Sequence, residues 1–71
     1  MNFAILHKNK ISVLFHSDES DHWLIDCTYF WRKSGKVINI VTIIRKDMSD
    51  YIRILKKHGY TGFQRTKHID N

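Results

Sequence analysis

Five histidines, one cysteine and a run of acids are the residues of this chain that could do chemistry. His16 and His22 flank Asp18, Glu19 and Asp21 in "HSDESDH", a mixed nitrogen and oxygen donor set of the kind that can hold a divalent cation. No two histidines stand at i, i+4, and none has a cysteine partner. The segment therefore reads as a solvated acidic loop, and no metal or cofactor is expected. Cys27 would need an activating base and an electropositive, open setting to act as a nucleophile. It falls in the middle of an apolar run, "WLIDCTYFW", and reads as a buried, inert thiol. No two carboxylates share a rigid face for acid–base work. The glycines at 35, 59 and 62 are scattered and form no phosphate-cradling loop. The expectation is a protein without a catalytic residue.

The basic residues carry more information. Lys and Arg number 12 against 7 acids, a net charge of +5. Such a surplus favours polyanionic or acidic partners. Its meaning depends on where the chain brings these residues together, and so on the elements that hold them.

Residues 2–8 read as a strand, "KNK" as a turn, and 11–17, which alternate with period two, as a second strand. In the second, Ile11, Val13 and Phe15 share one face. Residues 22–32 form a third strand, with Trp23, Ile25, Cys27, Tyr29 and Trp31 on one face and Leu24, Thr28, Phe30 and Arg32 among those on the other. "KSGK" is a turn, with Gly35 free to take a positive φ. The β-branched run 36–46 suits a central strand. A two-residue Ser34-Gly35 loop would pair Trp31 with Ile38, Tyr29 with Ile40, Cys27 with Thr42 and Ile25 with Ile44.

A helix follows, with Asp47 as N-cap and an inward stripe of Met48, Tyr51, Ile52 and Leu55. It ends at His58-Gly59-Tyr60, with Gly59 left-handed and Tyr60 packing back on Leu55. Residues 61–71 form a basic tail or a short edge strand from Phe63 to Ile69. The stretch "ILKKHGYTGFQRTKH" resembles the opening of small HicA-type RNA-cleaving toxins, in which a helix leads through Gly-aromatic to a histidine. In that family the strands follow the histidine, whereas here they precede it, so no role passes to His68.

The 71 residues make one domain, 1–71, too small to give up packing to a deep substrate cavity. The predicted fold is α+β, an antiparallel meander of three to four strands followed by one C-terminal helix packed on one face. The lone cysteine, the lack of a signal-like leader and the lack of a long apolar run predict a cytoplasmic protein without a membrane segment. Trp23, Tyr29 and Trp31 are expected in the core under the helix.

A meander puts the turns at 8–10 and 33–36 at one end, and the helix runs back towards them. That end would collect Lys8, Lys10, Arg32, Lys33 and Lys36, with Arg53, Lys56 and Lys57 on the helix. The functional expectation is a small non-enzymatic protein that binds nucleic acid or a nucleoprotein complex through this basic tip. The alternative is a protein-binding inhibitor or adaptor, of the kind small mobile elements encode. It would dock an acidic protein surface, or use an apolar outer face of Leu24, Phe30, Val41 and Ile43, which could also form a homodimer.

Overall fold

A computed structural model describes residues 1–18 and 23–64. Five strands form one antiparallel sheet: β1 (Asn2–Lys8), β2 (Ile11–His16), β3 (Leu24–Trp31), β4 (Val37–Ile44) and β5 (Thr61–Gln64). Their order is β4-β3-β2-β1-β5. The first four make the expected meander. A 3-10 turn (Arg45–Asp47) leads into α1 (Met48–Lys57), which crosses one face of the sheet before the chain returns as β5 beside β1. The fifth strand is Thr61–Gln64, which overlaps the start of the segment expected as a basic tail or an edge strand. Residues 65–71 of that segment, and 19–22 of the acidic loop, lie outside the described residues.

The core sits between α1 and the sheet. It is built from Phe3, Ala4, Leu6, Val13, Phe15, Ile25 and Cys27 of the strands and Met48 and Ile52 of the helix. Tyr51 and Leu55 complete the helical stripe as half-buried neighbours. Phe15 meets Tyr51 edge to face, with ring centroids 5.8 Å apart. The hydroxyls of Tyr29 and Tyr51 hydrogen-bond at 2.7 Å and tie the sheet to the helix. The helix therefore forms because its apolar spacing finds a matching sheet face, since ten residues are marginal alone.

The ends of α1 differ from each other. Asp47 makes no side-chain cap hydrogen bond, because the 3-10 turn ahead of it holds its backbone in the helical region. Its charge still lies at the positive end of the helix dipole, beside Asp50. The C-terminus is as expected. Gly59 has a φ of 98°, its N–H donates to the carbonyl of Lys56, and the Tyr60 N–H donates to that of Leu55. This is a Schellman stop.

β4 is an edge strand and not the central one expected, and two further expectations fail there for one reason. The observed register pairs Cys27 with Val41, Ile25 with Ile43 and Tyr29 with Asn39, one residue away from the expected pairing. The turn is longer than two residues. The Gly35 N–H donates to the carbonyl of Trp31 and the Trp31 N–H to that of Lys36. A bulge at Ile38 then lets Phe30 face Val37 while Tyr29 faces Asn39. A slip of one residue exchanges the faces of a strand. Val41 and Ile43 accordingly lie on the helix-covered face, half-buried against the core, and not on the outer face. Ile40, Thr42 and Ile44 take the outer positions beside Leu24 and Phe30.

The tryptophans are the other correction. Trp23 is 70% exposed and Trp31 is 43% exposed. Trp23 directly precedes β3 and Trp31 ends it, and neither belongs to the buried cluster that Ile25 and Cys27 enter. Cys27 is fully buried and free, as expected. Burial, with the Asp26 charge adding to it, pushes its thiol up to about 12 from the ordinary 9.0. The folded chain thus holds this proton more tightly than the unfolded chain. That contribution to stability is complete below pH 9 and is lost as pH rises towards 12. Tyr29, raised by burial and then by the Tyr51 hydroxyl, acts in the same direction at still higher pH. Native protein at pH 8 is expected to resist a thiol reagent that labels it fully in denaturant, and its thermal midpoint is expected to fall steadily above pH 9. Rapid native labelling would contradict this placement.

Candidate nucleic-acid interface

The tip is made by two turns held together. Asn9, with a φ of 56°, makes the left-handed corner between β1 and β2, a conformation that asparagine tolerates better than most residues. The Arg32 N–H donates to the carbonyl of Lys10 at 2.9 Å, so the β3–β4 turn is tied to the β1–β2 turn. The Arg32 guanidinium reaches towards the carbonyl of Asn9 at 3.5 Å. Ser34 Oγ accepts from the Lys36 N–H and stiffens the second turn.

Between these turns lies an open cleft of about 650 Å³, lined by Asn9, Lys10, Trp31, Arg32, Lys33 and Ser34. It combines an exposed indole with three cations and two small polar side chains. The indole offers a flat stacking surface, and the cations suit phosphate oxygens on either side of a stacked ring.

The expected basic residues do not act as one group. Lys10, Arg32 and Lys33 line the cleft, and Lys36 adjoins it in the same turn. Lys8 is engaged elsewhere. Its Nζ donates to the carbonyl of His58 at 2.6 Å and lies 5.7 Å from the Tyr60 ring centroid. A cation at a helix C-terminus stabilises the exposed carbonyls there, so Lys8 fastens α1 to the tip. This contact also shows that α1 runs back to the tip end. Arg53, Lys56 and Lys57, with Ile54, line a separate concavity of about 550 Å³ on the helix surface. Arg53 is paired with Asp50 at 2.6 Å. Asp18, just beyond β2, lies at the opposite end of the sheet.

The uncovered face of the sheet is mixed. His7 meets Ser12 at 2.6 Å, His16 meets Thr28 at 2.7 Å, and the Thr42 hydroxyl donates to Asp26 at 2.9 Å. Leu24, Phe30, Ile40 and Ile44 interrupt these polar pairs. Among the described residues no group of three or more histidines, cysteines or acids could hold a metal ion. No helix among them is long and apolar enough to cross a membrane. Sequence reasoning placed the cations of the tip but not the indole among them. The available signal was position, since Trp31 directly precedes the turn.

No protein family, curated protein or solved structure matches this sequence.

Proposed function

We propose that this protein is a non-enzymatic nucleic-acid-binding module that takes single-stranded segments at the tip cleft. The observation that carries this reading is the exposed Trp31 indole in the same open cleft as Lys10, Arg32 and Lys33. A base stacked on the indole would bring its flanking phosphates to the cations. Each component is tolerant of sequence, because every base has a π-face and phosphates carry no sequence information. Single strands, including those exposed in a nucleoprotein complex, present free bases that a duplex keeps stacked. The buried free thiol supports a reducing, cytoplasmic setting.

Trp31→Ala tests the cleft. Stacking contributes about 1–3 kcal/mol per base, so affinity for a labelled oligothymidylate is expected to fall about 5- to 150-fold. The circular dichroism spectrum is expected to stay unchanged, because Trp31 lies outside the core. Unchanged affinity in the variant would remove the indole from the site.

One observation favours a second reading, that of a protein-binding inhibitor or adaptor. Leu24, Ile40 and Ile44 are exposed together on the uncovered face, and such apolar clusters mark protein contacts.

A further inference from the structure

β4 is an open edge of the sheet, and its sequence is unusual for that position. It runs "VINIVTII" without a charge or a proline, the two commonest protections of an exposed strand edge. The bulge at Ile38 disturbs only its beginning. Ile40 is 54% exposed and Ile44 is 45% exposed. The other edge strand, β5, is only four residues long and contains Gly62.

The direction of its free backbone groups follows from the ladder. The Arg45 N–H donates to the carbonyl of Trp23. Antiparallel pairing alternates, so Asn39, Val41 and Ile43 also turn their N–H and C=O groups towards β3. Ile40, Thr42 and Ile44 turn theirs to the open edge.

We propose that β4 pairs antiparallel with β4 of a second copy of this chain, about a two-fold axis at Thr42, joining two five-stranded sheets into one. Symmetry narrows the choice of register. A two-fold axis normal to the sheet keeps each residue on its own face, so it must pass through a residue pair and not between pairs. Centred on Val41, the pairing sets Ile40 against Thr42 and Asn39 against Ile43, apolar against polar. Centred on Ile40, it draws the bulge residue Ile38 into the ladder opposite Thr42. Centred on Thr42, it sets Ile40 against Ile44, Val41 against Ile43, and Thr42 against its own copy. Within residues 40–44 every apolar side chain then meets an apolar one, and hydroxyl meets hydroxyl. The same register places the outward backbone groups of Ile40, Thr42 and Ile44 opposite one another, as reciprocal hydrogen bonding requires. On the covered face, the Val41–Ile43 contacts would continue the core from one copy into the next. The interface is isologous and closes at two chains.

Sedimentation velocity of the whole chain across micromolar concentrations tests this pairing, which is independent of the tip cleft. Wild type is expected to sediment at twice its 8.5 kDa. Ile40→Lys with Ile44→Lys places like charges opposite each other at both flanking pairs. This variant is expected to sediment as a monomer with its circular dichroism spectrum retained, both sites being exposed. Leu14→Lys, on the uncovered face of β2 away from the edge, is expected to remain dimeric. Thr42→Cys, which sets each thiol against its own copy, is expected to form an intermolecular disulfide on mild oxidation, and so tests the register even if the lysine variant fails to fold. A monomeric wild type overturns the proposal. So does a dimer that Leu14→Lys dissolves, a dimer that survives Ile40→Lys with Ile44→Lys, or a Thr42→Cys chain that does not cross-link.

Discussion

Phe15→Ala is expected to remove a large part of the stability of the fold and to shift its urea midpoint well below that of the wild type. Phe15 is fully buried near the end of β2, opposite Ala4 on one side and Cys27 on the other. Its ring also meets Tyr51 of the helix edge to face. Truncation removes the contact that joins three strands to α1, and the surrounding backbone is too constrained to close the gap. The cost of such a deletion is about 3–5 kcal/mol. A chain of this length is stabilised by only about 4–10 kcal/mol in total. A urea titration followed by circular dichroism checks the result. A cooperative transition at the wild-type midpoint would show that the core does not depend on this ring.

Gly62→Ala is expected to detach β5. Gly62 lies opposite Leu6 in the β1–β5 ladder. A Cβ at this position would run into the carbonyl oxygen of Ile5 and would stand 2.7 Å from the Cα of Leu6 and 2.8 Å from its Cδ2. Two of these atoms are backbone, so no rotamer change relieves the clash. The strand must move away, and Leu6 loses part of its cover. The expected loss is about 1–3 kcal/mol, at the level of other overpacked cores. Hydrogen exchange locates it: the amides that join β1 to β5 should lose protection while those of β2 and β3 keep most of theirs. Unchanged protection across β1 and β5 would contradict the close approach.

The contrast between Phe15 and Trp31 explains how much of the fold was legible in the sequence. Strand β2 sets Ile11, Val13 and Phe15 on one face, so its inward face can be read directly, whereas a bulge in β1 buries both Phe3 and Ala4. The helix was legible from Met48, Tyr51, Ile52 and Leu55, and its end from Gly59. β4 was not legible in the same way. Its residues are β-branched on both faces, so a one-residue slip leaves no trace in the pattern. Its register depended on the turn, and the longer turn with its bulge moved Val41 and Ile43 inward. The tryptophans were misplaced because period two assigns a face and not a depth. Trp23 and Trp31 stand at the two ends of the strand, outside the buried cluster that its middle residues enter. The tip was half legible. Its cations follow from the meander, whereas the engagement of Lys8 by the helix terminus and the pairing of Arg53 with Asp50 depend on side-chain placement that no spacing encodes.

The most direct test of the tip cleft is the salt dependence of binding to a labelled oligothymidylate. Lys10, Arg32 and Lys33 line the cleft. If each neutralises one phosphate of a single strand, each contributes about −0.7 to the slope of log K against log salt, for a slope near −2. Lys33→Glu with Lys36→Glu, both exposed turn positions, should weaken binding and flatten the slope. Asp18→Lys at the far end should change little at moderate salt, where the Debye length is about 10 Å. The account predicts binding at about 50 mM salt that weakens with this slope as salt is raised. No binding under those low-salt conditions would contradict it, and the exposed apolar face of Leu24, Ile40 and Ile44 would then be the better guide to what this protein does.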